Sequence, residues 1–197
     1  MMDYNIIHSK KKAVIILHEI YGINHFVKRV CDSYEGFGYD VYCPNLIYRE
    51  NPYEYSENEM AYQYFNDIKG FEQYRLVNQL IEQIRPKYDE VILIGFSAGA
   101  TIAWSCSENP MCDKVIGYYG SRIRDYADVK PTCPVLLIFA CEDSFDVVKV
   151  AEDLNARKNV AVHILAGKHG FMDSDSVNYN VETSKISNKI TNEFLNI

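Results

Sequence analysis

Residues 91–101, VILIGFSAGAT, lead an apolar run into Gly95-Phe96-Ser97-Ala98-Gly99. A serine on a strand-to-helix corner needs small neighbours, because the sharp turn brings backbones so close that a Cβ would collide. Gly95 and Gly99 stand where that requirement falls. A serine hydroxyl is a weak nucleophile near neutral pH unless a base takes its proton, and histidine is the usual base. Of the five histidines, His8 lies in an edge-strand region, His163 lies inside a strand and His25 opens a helix. His18 and His169 both follow strands. His169, in the glycine-flanked segment AGKHGF, is the preferred base; His18, followed by Glu19, is the alternative or orients its loop instead. An imidazole acting as base becomes cationic and is stabilised by an acid. The strand PVLLIFAC ends in Glu142-Asp143-Ser144-Phe145, and Asp143 gives the chain order Ser, Asp, His. Glu142 and Asp146 are the alternative acids, and helix N-capping is the competing role for Asp143. Two backbone N–H groups complete the set as an oxyanion hole, Ala98 after the serine and Ile20 in HEIYGIN.

These residues are useful only if strands and helices bring them together. Apolar runs at 13–18, 39–43, 91–95, 114–120, 134–141 and 160–165 read as strands, with a further short antiparallel strand at 4–8. Helical periodicity fills 24–36, 58–84 with a break near Gly70, 98–108, 145–158 and 177–195. The alternation predicts an α/β fold, a mostly parallel doubly wound sheet with helices on both faces, in one domain spanning 1–197. Such sheets bind ligands at the carboxyl ends of their strands, where Ser97 falls. The tyrosine-rich stretch 44–65 is the one long irregular region, and long loops are commonly functional.

Composition narrows the partners. A formal charge of −7 with scattered cations disfavours nucleic acid and anionic lipid surfaces. No run approaches the roughly 20 apolar residues of a membrane span, and Ala13–Leu17 is too short for a secretory segment. The six cysteines contain no C-x-x-C spacing and read as buried, reduced thiols of a cytoplasmic protein. No cofactor is implied. A metal site is not expected either, since His18-Glu19 lacks the second histidine of H-E-x-x-H, Gly22 standing there.

The segments LHEIYGIN, GYDVYCPNLIYR, GFSAGA, VIGYYG, ACEDSF and AGKHGF, in that order, resemble the dienelactone hydrolase family of α/β-hydrolases. The resemblance implies an α/β-hydrolase fold without a large cap domain, a triad of Ser97, Asp143 and His169, and a match of Glu19 to the family glutamate beside the nucleophile. The family's namesakes carry cysteine where this chain has Ser97, which favours a direct Ser–His mechanism and leaves Glu19 as gate, loop partner or alternative base. Their substrate carboxylate is held by arginines at places where this chain has Asn58 and Phe171-Met172-Asp173. Loss of that clamp implies a small, neutral ester, lactone or thioester. Tyr62 matches a family pocket tyrosine, with a core tyrosine on a helix as the alternative.

The expected function is therefore acyl transfer to water by a serine hydrolase acting on a small molecule, as a monomer or homodimer, with turnover rising through about pH 6.5. The rival reading is a non-catalytic protein of the same fold that binds a small ligand in the crevice.

Overall fold

A computed structural model describes residues 11–197, so the strand expected at 4–8, together with His8, lies outside the described residues. The described chain folds as a parallel sheet of six strands in the order β2-β1-β3-β4-β5-β6. The strands are β1 Lys12–Leu17, β2 Asp40–Tyr42, β3 Glu90–Phe96, β4 Lys114–Tyr118, β5 Val135–Glu142 and β6 Val160–Lys168. The helices are α1 His25–Gly36, α2 Asn58–Asp67, α3 Tyr74–Ile84, α4 Ala98–Cys106, α5 Val147–Asn155 and α6 Val181–Leu195.

Alternation of side chains along each strand builds two cores. Ala13, Ile15, Leu17, Val91 and Leu93 face one side, packed with α3, α4 and α5. Val14, Ile16, Ile92 and Ile94 face the other, packed with α1 and α6. Burial on both faces is why β1, β3 and β4 read as continuous apolar runs, whereas the edge strand β6 is largely exposed. On α3, Val77, Ile81 and Ile84 are buried at helical spacing and the remaining positions are largely polar. Helix α4 is covered almost all round, and its small residues let it lie close against the sheet.

The helix beginnings differ from the sequence expectation in two places. Helix α5 starts at Val147 because Asp146 caps it, its carboxylate accepting from Lys149 N at 3.0 Å. Helix α6 starts at Val181, capped by Asn180, where the sequence pattern suggested a start at 177. Val177 is in fact fully exposed. The break near Gly70 is a 3-10 turn, Gly70–Gln73, between α2 and α3. All six cysteines are free; Cys141, near the end of β5, is exposed rather than buried as expected. No helix among the described residues is long and apolar enough to cross a membrane.

Candidate active site

The chain runs from β1 outward to β2, then returns past β1 to β3 and proceeds the other way to β6. The loops after β1 and β3 therefore diverge at the carboxyl end of the sheet and open a crevice there. Ser97 stands at that opening with φ 53° and ψ −111°, a backbone conformation that L side chains rarely adopt. The corner is held on both sides. Ser97 N donates to Tyr118 O at 2.9 Å, and Thr101 N donates to Ser97 O at 3.2 Å. Close approach explains the glycines: a Cβ on Gly95 would sit 2.2 Å from Gly99 O, and one on Gly99 would sit 2.2 Å from Leu17 O.

Three loops far apart in sequence converge on this corner. His169, just past β6, places Nε2 2.8 Å from Ser97 Oγ. Its Nδ1 lies 2.8 Å from Oδ2 of Asp143, which follows β5. The Asp143 side chain is nearly buried, and its Oδ1 also accepts from Ser144 N at 2.7 Å. Burial presses the imidazole toward its neutral form, but the Asp143 bond and the charges of Glu19 and Asp143 outweigh it, holding His169 above its ordinary value. Burial likewise opposes the Asp143 charge, yet His169 and the Ser144 donors hold that carboxyl below its ordinary value. Asn178 Nδ2 donates to His169 O at 2.8 Å, and the Tyr119 ring lies 5.0 Å from the imidazole. Neither residue was singled out from the sequence. Tyr119 was read as strand; its φ of 43° turns it out of β4 beneath the histidine.

The other expected site residues divide by position. Ala98 and Ile20 line the same crevice as Ser97 and His169. As the first residue of α4, Ala98 has an N–H with no partner inside the helix. His18 is fully buried; its Nδ1 donates to Glu19 O at 2.5 Å and its Nε2 accepts from Leu46 N at 2.9 Å. Burial lowers it to about 4, so it is a neutral tie between two loops and is not brought to Ser97. Asp146 is the α5 cap described above, and exposed Glu142 pairs in register with Lys168.

Glu19 is buried behind the histidine. Burial, opposed by the nearby His169 and reinforced by Asp173, raises its carboxyl to about 7. The Tyr119 hydroxyl faces this carboxyl, and burial together with the Glu19 charge pushes that phenol well up. Tyr62 is an exposed wall residue rather than a core one, and it lines the crevice with Asn58 and Phe71.

The crevice encloses about 1050 Å³. No cation was expected at Asn58 or at Phe171-Met172-Asp173, and cations reach the crevice from other segments: Arg122, Arg124 and Lys168 line it. The arginines come from a 3-10 turn, Ser121–Asp125, directly after β4. Arg122 donates to Tyr62 Oη at 2.5 Å and to Asp125 at 2.9 Å. Arg124 lies over the Phe145 ring at 4.9 Å. Nothing local in the sequence announces them, since the turn reaches the crevice only through the strand order.

A parallel sheet of this order, with a serine corner after its third strand and an acid and a histidine after its last two, has the architecture of an α/β hydrolase. The family model of the dienelactone hydrolase family matches residues 4–197. Protein YczH of Bacillus subtilis (strain 168) is 38% identical over 174 residues, covering 86% of this chain and 85% of that one. Carboxymethylenebutenolidase 1 of Cupriavidus pinatubonensis is 27% identical over 92% of this chain and 84% of its own. Among solved structures, a dienelactone hydrolase-like promiscuous phosphotriesterase from metagenomic libraries superposes with a TM-score of 0.73 at 15% identity, over 94% of this chain and 85% of that one. The Pyrococcus furiosus esterase Pf2001 gives 0.61 at 17% identity, over 96% and 82%. The chain belongs to the dienelactone hydrolase family. By class it is a carboxylic ester hydrolase.

Proposed function

We propose that this protein hydrolyses a small ester, lactone or thioester through a Ser97-His169-Asp143 triad and an acyl-enzyme. The observation that carries the reading is the unbroken chain of 2.8 Å contacts from Ser97 Oγ through both ring nitrogens of His169 to Asp143. His169 Nε2 takes the hydroxyl proton as Ser97 Oγ attacks the carbonyl carbon, and Asp143 stabilises the imidazolium that forms. The Ala98 and Ile20 amides receive the oxyanion. The imidazolium returns its proton to the leaving oxygen or sulfur as the acyl bond breaks. Water then attacks the acyl-enzyme with the same histidine as base, and Ser97 is regenerated.

With a serine as nucleophile, Glu19 has no thiol proton to manage. Its burial behind His169 suits a partner that sets the charge around the imidazole. Substrate charge follows from the wall of the crevice. Arg122, held by Tyr62, and the neighbouring Arg124 make the pocket receptive to acyl groups bearing a carboxylate, so a strictly neutral substrate is no longer required.

The test is labelling with a fluorophosphonate probe, followed by p-nitrophenyl acetate turnover. Wild type should label at Ser97 and turn over, and Ser97→Ala should do neither. An unlabelled, inactive wild type would favour a ligand-binding protein of the same fold.

A further inference from the structure

The tyrosine-rich loop that follows β2 carries one residue that touches both catalytic loops. Tyr55 opens a 3-10 turn, Tyr55–Glu57, braced where Glu57 Oε2 accepts from Glu54 N at 2.8 Å. Its ring packs edge-on against Tyr21 at 4.9 Å, next in the chain to Ile20. Its hydroxyl accepts from Asn24 Nδ2 at 2.9 Å and donates to Asp173 Oδ2. Two residues before it, Tyr53 N donates to Tyr21 O at 2.8 Å. The loop is thus fastened along the segment that offers the oxyanion amide, and it reaches across to the segment that carries His169.

The partner across that gap is unusual. Asp173 lies four residues beyond His169 and its side chain is 1% exposed. Oδ1 accepts from Asp175 N at 2.9 Å, and Arg29 Nη2 stands 3.6 Å away, too far for a direct hydrogen bond. Oδ2 has the Tyr55 hydroxyl. A buried carboxylate tolerates its site only while its oxygens have donors. The donor here is held in direction, because Asn24 spends its Oδ1 capping α1 at Val27 N and its Nδ2 on Tyr55. The hydrogen bonds therefore run one way, Asn24 to Tyr55 to Asp173.

We propose that Tyr55 is a positioning residue for the hydrolysis reaction: its hydroxyl, bonded to Asp173, holds the histidine loop at a fixed distance from the oxyanion loop. This rests on the triad assigned above. Losing the hydroxyl leaves Asp173 Oδ2 without its donor in a closed site, and the segment 170–176 relieves that by shifting, taking His169 with it. Phe171 stays buried against Tyr119, so the loop remains folded and the displacement is small.

The experiment compares wild type, Tyr55→Phe, Asp173→Ala, Asp173→Asn and the double variant Tyr55→Phe/Asp173→Ala with p-nitrophenyl acetate, alongside thermal melts and fluorophosphonate labelling. Tyr55→Phe keeps the ring and its packing on Tyr21. It should lower kcat about tenfold, the scale of a sub-ångström misplacement, with KM changed less than twofold. Asp173→Ala should match it, the double variant should lose no more than either alone, and Asp173→Asn, which keeps an oxygen for the Tyr55 hydroxyl, should lose less. Tyr55→Phe and Asp173→Ala rates within twofold of wild type, additive losses, or losses that only track the unfolded fraction would each overturn the proposal. Failure of wild type to label would instead remove the triad reading, so the two failures are separable.

Discussion

Replacing Glu19 by glutamine should stabilise the protein at alkaline pH and leave it nearly unchanged in acid. The Glu19 carboxyl is buried, and its proton is held to about pH 7 against an ordinary value of 4.5. A group whose folded value is raised favours the folded state while it is protonated, and that advantage disappears as pH rises through the folded value. Below about 4.5 the carboxyl is neutral in both folded and unfolded chains, and the two proteins should melt alike. Between 4.5 and 7 the unfolded chain ionises first, so wild type loses stability relative to Glu19→Gln. Above 7 the difference levels off at roughly 3 kcal/mol. For a chain of this length that corresponds to a melting shift of roughly 6–12 °C. The groups facing Glu19 are the Tyr119 hydroxyl, His169 and Asp173, with Tyr21 also within its field. They remain in both proteins, so only their coupling to Glu19 is lost. Urea unfolding at pH 5 and 8.5, read as midpoint and slope, measures the difference directly. A gain of similar size at both pH values, or a loss at 8.5, would refute the view of Glu19 as a buried, reluctantly ionised acid.

The catalytic reading makes further predictions. Because Asp143 and Glu19 hold His169 above its ordinary value, kcat/KM should rise through a pH above 6.5, and Glu19→Gln should move that limb downward; a limb at or below 6.5 in wild type contradicts the contacts. Asp143→Asn should lower kcat by about 10³–10⁴ while labelling of a folded protein persists weakly. Gly99→Ala should destabilise by about 2–3 kcal/mol in urea titration, against the helix propensity of alanine, because the new Cβ meets two carbonyl oxygens of β1 and its following loop that cannot rotate away. Arg122→Met should reduce kcat/KM for the p-nitrophenyl monoester of succinate by about fivefold to tenfold and leave the butyrate ester within twofold, a modest effect because the arginine side chain is 41% exposed.

What could be read from the sequence was whatever repeats locally. Six apolar runs gave six strands, the inner ones most plainly, because a strand covered on both faces writes its burial into consecutive residues such as Val91–Ile94. Glycines two residues either side of Ser97 marked the corner, since close backbone approach excludes every other residue type there. Helix starts were read less well. The pattern puts the start of α6 at 177, and the cap at Asn180 is what places it at Val181. Contacts between distant segments left no local trace. His18 was a rival base on spacing, and its exclusion depends on Leu46 N, 28 residues away. Arg122 looked like one more scattered cation until the strand order carried it to Tyr62, 60 residues distant.

The same distinction bears on the exchange of cysteine for serine. A thiol that ionises readily can be activated by a nearby carboxylate, whereas an alcohol needs a base aligned on it throughout attack. Alignment is a property of loops, and in this chain the histidine loop has Phe171-Met172-Asp173 in the region where, by resemblance, the family's namesakes carry an arginine. Asp173 is turned inward onto Tyr55 and Arg29, away from a substrate-binding role, and its charge adds to the burial that raises the Glu19 carboxyl to about 7. Asp143 is bonded directly to His169 Nδ1, and the Glu19 charge that also acts on the ring fades as Glu19 protonates below about pH 7. If Asp173→Asn lowered the pH at which Glu19 titrates, seen as a narrower gap between the pH 5 and pH 8.5 stabilities, the two departures from the family would be one coupled change. If that gap stayed as wide as in wild type, the two departures would be independent.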